Sequence, residues 1–216
     1  SNTYKITVRG RGTHASMPHT GIDPVAAVVT LAQQLQTIVA RTIPSTERAL
    51  LAVTQLQGSD APNVIPDVAT VGGTIRTFSI EAIDKLEARL REVAAGVAAA
   101  HGCTAEVYFN RSSPPTVNHP AEARFAASVM REVVGDDMVT DDFPAVMGAE
   151  DFAHMLLARP GCYAFLGNGD GDHRLDGHGP GPCIIHNTSF DFNDEIIPIG
   201  ASYFVKLVQR WLPSGT

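Results

Sequence analysis

Two histidines stand in sequence contexts that suit chemistry in this chain of 216 residues. His14 lies in the glycine-flanked stretch RGRGTHASMPH, directly after a short alternating pattern, where its imidazole can project outward. His186 lies in IHNTSFDFND, and imidazole is a good ligand for zinc, manganese or nickel. A histidine at a strand end, bonded to backbone, is the ordinary structural alternative for His186. Neither histidine completes a catalytic site by itself.

Two polar residues 13 positions apart could bind the polar groups of a ligand. Asn63 lies in the connection PNVIP and Arg76 on the predicted strand GGTIRT. An amide both donates and accepts hydrogen bonds, and a guanidinium fork suits a carboxylate. Taken singly, Asn63 is equally a turn residue that bonds its own backbone, and Arg76 a residue on a solvated strand face.

Acidic residues occur at two further places. Glu150 and Asp151 open a predicted helix, where carboxylates stabilise the positive end of the helix dipole, and the functional alternative is that they line a site. The spacing in residues 167–182 matches neither a calcium loop nor a zinc motif, so we expect a surface loop. That loop contains Asp170, Asp172, His173, Asp176 and His178.

Composition excludes several classes of function. The formal net charge is −7 and lysine and arginine form no run, which argues against a nucleic-acid partner. The apolar stretches are too short to span a bilayer, so we expect no membrane segment. Cys103, Cys162 and Cys183 form no C-x-x-C pair, which indicates reduced thiols and a cytoplasmic protein. No basic neighbour favours a thiolate at Cys162 or Cys183, so neither is expected to be a nucleophile.

The elements that must position these residues follow the order strand, helix, strand, strand, helix, strand. Asp23-Pro24 and Ser79 predict the two helix starts, and Gly102 predicts the end of the second helix. Gly72-Gly73 inside the third strand indicates a bulge or a close backbone approach. The predicted fold class is α+β, a ferredoxin-like βαββαβ unit whose four-stranded antiparallel sheet carries both helices on one face. The strands cover residues 4–9, 50–56, 68–78 and 104–109, and the helices residues 24–39 and 79–100.

Ser113-Pro114-Pro115 interrupts this pattern and predicts a boundary between domains 1–113 and 114–216. The second part predicts helices over residues 121–134, 150–158 and 199–211, with one short strand over 162–166. A single strand has no partner for its backbone groups. We therefore expect residues 114–216 to be an incomplete α/β segment that completes a sheet begun elsewhere.

Six motifs, taken together and in this order, resemble the hippurate hydrolase and auxin-conjugate amidohydrolase group of the aminoacylase and carboxypeptidase-like metallopeptidase family. The resemblance covers nearly the whole chain. The motifs are GRGTHASMPH, DPVAA, NVIPD, GGTIR, MGAEDF and HNTSFDFNDE.

The resemblance implies a function and a role for each motif residue. Residues 1–113 would be a lid that mediates homodimerisation, and residues 114–216 the last part of a two-metal catalytic domain that hydrolyses N-acyl amino acids. His14 would stabilise the oxyanion, commonly in the neighbouring subunit's site. Asn63 and Arg76 would face one cleft and hold the polar groups and carboxylate of the substrate. His186 would be the final ligand of a divalent metal such as zinc, manganese, nickel or cobalt.

In that family the other metal ligands and the glutamate base precede the lid, and no such segment occurs in this sequence. We therefore expect the chain alone to be inactive, with an incomplete metal site. Two alternatives stay open: a ferredoxin-like dimerisation or binding module without a catalytic role, and a lid-bearing dipeptidase or tripeptidase.

Overall fold

The structure is a computed structural model that describes residues 1–169 and 185–212. The chain forms two compact units, one from residues 1–116 with 146–154 and the other from residues 117–145 with the chain from 155 onward. Part of the predicted surface loop lies outside the described residues. The residues concerned are Asp170, Asp172, His173, Asp176, His178 and, just beyond that loop, Cys183.

The first unit alternates strands and helices over its first 111 residues. In chain order its elements are β1 (Asn2–Arg9), β2 (Thr13–His14), α1 (Pro24–Thr42), β3 (Ala49–Gln57), β4 (Val64–Ile65), β5 (Val68–Thr77), α2 (Ile80–Ala100) and β6 (Thr104–Arg111).

Four of the strands form one antiparallel sheet in the order β3-β5-β1-β6. Helix α1 packs on β3 and β5, helix α2 packs on β6 and β5, and the helices contact each other. This topology and helix placement confirm the predicted ferredoxin-like fold class.

The buried face of the unit follows from the spacing of apolar residues. Tyr4, Ile6 and Val8 alternate along β1 and are all buried, because successive strand residues point to opposite faces. Leu31 and Leu35 of α1 are buried one helical turn apart.

Both helix starts and the second helix end are confirmed. Asp23 caps α1 by accepting hydrogen bonds from the amides of Val25 and Ala26, and Ser79 caps α2 by accepting from Ala82. Gly102 has a φ of +71°, the left-handed conformation expected of a residue that ends a helix.

At Gly72 and Gly73, the backbone of β5 lies very close to the neighbouring strands. The register between β3 and β5 shifts between Val53 and Gln55, which lie opposite the two glycines. A Cβ added at Gly73 would lie 1.8 Å from the carbonyl oxygen of Ala52. The predicted close backbone approach at the glycines is therefore confirmed, and the shift in register lies in β3, opposite them.

The second unit contains the helices α3 (Pro120–Val134) and α5 (Ile197–Trp211), and α4 (Phe152–Ala158) runs from the first unit into the second. The prediction of a strand over residues 162–166 is wrong, since no strand forms there. The side-chain amide of Asn118 instead satisfies the backbone of Tyr163, accepting from its N–H at 2.7 Å and donating to its carbonyl at 2.8 Å. In the part of the chain that the structure describes, no helix is long and apolar enough to cross a bilayer.

Candidate functional site

A two-stranded ribbon carries His14 at one end of the first unit. Strands β2 and β4 pair antiparallel, with His14 opposite Val64. The backbone N–H of Ala15 then donates to the carbonyl oxygen of Asn63 at 2.9 Å. The structure thus brings His14 beside Asn63 although 49 residues separate them in sequence.

Glycines before β2 allow the chain there to lie very close to neighbouring backbone. A Cβ at Gly10 would lie 2.1 Å from the carbonyl oxygen of Ile22, so a larger residue would push the two segments apart. The N–H groups of Gly10 and Gly12 donate to the backbone carbonyl of Asp67 at 2.9 Å and to its carboxylate at 2.7 Å. The glycine-flanked sequence around His14 therefore permits a tight connection between β1 and the ribbon.

The His14 side chain is exposed and bonded on one side of its ring. Its Nδ1 lies 2.7 Å from the Ser16 hydroxyl oxygen and accepts from the Ser16 backbone N–H at 3.1 Å. The N–H of Met17 donates to the His14 carbonyl at 2.8 Å and closes a turn. Among the described residues, every hydrogen bond to the imidazole falls on Nδ1. Ser16 and Asp67 were not predicted to contribute, although they lie in the motifs GRGTHASMPH and NVIPD.

Arg76 lies near the opposite end of the sheet, where β5 pairs with the start of β3. The guanidinium is half-buried and its Nη1 donates to the carbonyl oxygen of Met147 at 2.7 Å. Eight residues of extended chain separate Val68 from Arg76, which at roughly 3.3 Å per residue places about 26 Å between them. Asn63 precedes Val68, at the end of β5 away from Arg76.

Glu150 and Asp151 follow closely after Met147. Glu150 is half-buried and Asp151 is exposed. Their backbone carbonyls accept from the N–H groups of Ala153 and His154 at 3.3 and 3.0 Å, which opens helix α4. This position agrees with the structural explanation of the pair as residues of a helix start.

His186 lies in a turn and is exposed, with a φ of 66° that is uncommon for a residue other than glycine. Within residues 1–169 and 185–212, no group of three or more histidine, cysteine, aspartate or glutamate side chains lies close enough to hold a metal ion. His186 is thus a single candidate ligand.

Two cysteines are free thiols, Cys103 buried and Cys162 half-buried. Burial raises the pKa of the Cys103 thiol, and the nearby charge of Asp23 raises it further. Burial likewise raises the pKa of Cys162, with Glu122 adding to the effect. Both thiols are protonated at neutral pH, which argues against a nucleophilic role.

Residues 1–101 match the model of the M20 peptidase dimerisation domain. The chain is 33% identical to the IAA-amino acid hydrolase ILR1-like 5 of Arabidopsis thaliana, over 98% of this chain and 48% of that protein. It is 30% identical to the hippurate hydrolase of Campylobacter jejuni, over 98% of this chain and 52% of the relative.

A third relative is the N-acetyl-L-cysteine deacetylase of Bacillus subtilis, 35% identical over 94% of this chain and 45% of that enzyme. The chain spans about half the length of these curated relatives. Among solved structures, a dinuclear metal-binding peptidase of the M20 family from Bacillus subtilis superposes with a TM-score of 0.71 at 26% identity. The match covers 95% of this chain and 48% of that structure.

Proposed function

We propose that the chain belongs to the M20 peptidase family, whose dimerisation domain residues 1–101 match, and that it is part of a metal-dependent amidohydrolase. Residues 1–113 are the lid of that enzyme, and residues 114–216 are the C-terminal segment of its catalytic domain. The substrate is an N-acyl amino acid, cleaved at its amide bond. The names of the three curated relatives support this class, since each describes a hydrolase or deacetylase of an acylated amino acid.

His14 is the residue that stabilises the oxyanion. When the amide carbonyl is attacked, negative charge develops on its oxygen, and a fixed N–H donor lowers the barrier. The observation that carries this proposal is the exposed ribbon that holds His14 beside Asn63, with the imidazole bonded only through Nδ1 among the described residues. Nε2 is then the atom that faces the substrate.

Asn63 and Arg76 bind the substrate from two different subunits. Val68 and Arg76 lie about 26 Å apart along β5, at roughly 3.3 Å per residue, and Asn63 comes before Val68 in the chain. This span is much longer than an N-acyl amino acid, which supports binding by the Asn63 of one subunit and the Arg76 of the other. In a homodimer, the ribbon of one chain supplies His14 and Asn63 to the site in which the other chain's Arg76 binds the carboxylate. The guanidinium suits that role because its planar donors match a carboxylate.

His186 contributes one ligand to the metal site, and the remaining ligands and the general base come from residues outside this chain. A divalent metal in such a site lowers the pKa of a bound water and polarises the carbonyl. The described part of the chain supplies no three-residue cluster, so the roles assigned here to its own residues are binding and donation of hydrogen bonds.

The homodimer forms through the edge strand β3. On the other edge strand, β6, Arg91 donates to the backbone carbonyl of Val107 at 3.0 Å, and the strand carries the charged residues Glu106 and Arg111. Strand β3 has no charged residue, and Leu50 and Leu56 are 43% and 48% exposed. An uncharged edge with exposed leucines invites pairing with a second strand, and charged edges resist it.

The decisive experiment mixes two inactive variants of the full-length protein, His14→Ala and Arg76→Ala. If His14 and Arg76 act from different subunits, a mixed dimer contains one site with both wild-type residues and regains hydrolysis of hippurate. If both act from one chain, or if either variant is fully active alone, the proposal fails.

A second measurement separates the role of this chain from that of the whole enzyme. The purified 216-residue chain, supplied with zinc or manganese, is expected to leave hippurate intact. Turnover by this chain alone would contradict the assignment of the general base and remaining ligands to other residues.

A further inference from the structure

The turn that follows β2 places two hydrogen-bond donors of one residue against the same atom of His14. Ser16 directs its backbone N–H at Nδ1 over 3.1 Å and its hydroxyl at the same nitrogen over 2.7 Å. This contact spans two residues of chain and resembles the turns in which a side chain bonds the backbone two residues on. The turn itself is closed by the N–H of Met17, which donates to the carbonyl of His14 at 2.8 Å.

The backbone N–H decides which ring nitrogen carries the proton. A hydroxyl can donate or accept, so its contact fits either tautomer, but a backbone N–H can only donate. A proton on Nδ1 would face the N–H proton of Ser16 directly. Nδ1 is therefore the acceptor, and in the neutral imidazole the proton is on Nε2.

We infer that Ser16 is a positioning residue for His14, whose backbone and hydroxyl donors keep the imidazole proton on Nε2 and fix the direction in which that N–H points. This inference rests on the proposed role of His14 as an oxyanion donor and names the device that makes it a donor. An oxyanion accepts a hydrogen bond only from a nitrogen that carries a proton. The Nδ1–H tautomer, with an unprotonated Nε2 toward the substrate, would repel the developing charge.

Orientation matters as much as protonation. His14 is exposed, so packing does not restrain its ring, and hydrogen bonds to Nδ1 are the restraint that the described residues supply. The turn is fixed in its place because Ala15 donates to Asn63. The turn that holds the imidazole is thus bonded directly to the Asn63 segment.

Nuclear magnetic resonance of the 216-residue chain tests the inference without any need for activity. Two-bond proton–nitrogen correlation spectra under alkaline conditions, where imidazoles are neutral, identify the protonated nitrogen. His14→Gln assigns the signals among the eight histidines. His19 is the internal reference, since it is exposed and forms no side-chain hydrogen bond within the described chain. His14 should show a larger excess of the Nε2–H tautomer than His19, and an equal or smaller excess would overturn the inference.

Substitutions separate the hydroxyl from the backbone. Ser16→Ala keeps the N–H and loses the hydroxyl. A ring protonated on Nδ1 would have to turn away from the Ser16 N–H and would leave the hydroxyl with it, so the hydroxyl bond forms only in the Nε2–H tautomer. The tautomer ratio should therefore fall about fivefold, as one hydrogen bond of ordinary net strength predicts. Ser16→Thr keeps the hydroxyl and should restore the ratio. Ser45→Ala, at an exposed serine before β3, is the matched control and should change nothing. A ratio that is the same in Ser16→Ala as in the wild type would overturn the role of the hydroxyl.

Kinetics of the full-length protein then test whether the tautomer and orientation of the His14 imidazole affect the rate of hydrolysis. Ser16→Ala should lower kcat by up to about fivefold, since the lost hydrogen bond both reduces the Nε2–H population and frees the ring to turn. KM should stay unchanged, because an oxyanion donor acts in the transition state and not on the bound substrate. A change in the tautomer ratio without a change in kcat would overturn the positioning role. If His14→Ala were fully active while the spectra behaved as expected, the oxyanion proposal would fail and the tautomer assignment would stand.

Discussion

Arg76 donates a hydrogen bond of 2.7 Å from Nη1 to the backbone carbonyl oxygen of Met147, 71 residues later in the chain. Met147 belongs to the segment 146–154, which forms part of the first unit although the residues around it belong to the second. A single guanidinium thus joins the end of β5 to a distant piece of chain. Arginine has several N–H donors, so the remaining ones are available to a carboxylate.

Replacement of Arg76 by glutamine is expected to loosen the segment 146–154. A hydrogen bond from a charged donor stabilises by about 1.5–3 kcal/mol, so local opening should become roughly tenfold more frequent or more. Hydrogen exchange of the Ala153 and His154 amides, which bond to Glu150 and Asp151, measures this opening. Arg89→Gln, at an exposed arginine of α2, is the matched control. Unchanged exchange in Arg76→Gln would show that the contact does not hold the segment.

The assignment of β3 as the dimer edge leads to a prediction about mass in solution. Leu56→Lys should convert the dimer to a monomer, because a lysine in the pairing edge would have to be buried against the second copy. Tyr108→Lys on β6 is the matched control, since Tyr108 is 65% exposed on the opposite edge. Light scattering of the 216-residue chain gives the mass of each variant. A monomer from Tyr108→Lys with an intact dimer from Leu56→Lys would move the interface to β6.

Much of the ferredoxin-like unit could be predicted because short local sequence patterns mark its strands and helices. The alternation of Tyr4, Ile6 and Val8 predicts the strand at the centre of the sheet, and Asp23 and Ser79 cap helices whose apolar spacing is regular. The two-residue strands β2 and β4 have no such pattern, since two residues are too few for any period. Their pairing depends on contacts of Gly10, Gly12 and their neighbours that no local signal reveals.

The site was harder to predict than the fold because spacing in sequence does not give direction in space. Asn63 and Arg76 are 13 residues apart, a spacing that suits a turn and a strand facing one cleft. Strand β5 covers most of that interval, and its extended chain spans about 26 Å from Val68 to Arg76 at roughly 3.3 Å per residue. The strand predicted over residues 162–166 does not form either. The backbone N–H and carbonyl of Tyr163 bond to the side chain of Asn118, a contact that spacing in sequence does not indicate.

The close approach at Gly73 predicts a large and specific loss of stability. In Gly73→Ala the new methyl group would lie 1.8 Å from the carbonyl oxygen of Ala52, so β3 must separate from β5. We expect the free energy of unfolding to fall by about 2–4 kcal/mol. Gly96→Ala is the matched control, because nothing lies within 4 Å of its added Cβ inside α2, and alanine there should stabilise by about 0.5–1 kcal/mol. Thermal unfolding measures both variants, and equal effects of the two substitutions would contradict the approach.

Glu87 is expected to make the stability of the first unit depend on acid. Burial alone would raise the pKa of this carboxyl, but hydrogen bonds from Arg91 and Arg111 outweigh it and hold the pKa below the ordinary value of 4.5. Since the folded pKa is depressed, the carboxylate stabilises the fold above the unfolded pKa, and this stability is lost as the pH falls through the folded pKa. The window therefore lies below pH 4.5.

The variant Glu87→Gln should be less stable than the wild type by about 1–2 kcal/mol at pH 7, a value reduced because both arginines are partly exposed. The difference in melting temperature should shrink toward zero as the pH falls below the ordinary glutamate value of 4.5. Glu92→Gln breaks the exposed pair with Arg89 and should cost at most about 0.5 kcal/mol at any pH. A constant difference between wild type and Glu87→Gln down to pH 3 would show that Glu87 stabilises by packing and not by its charge.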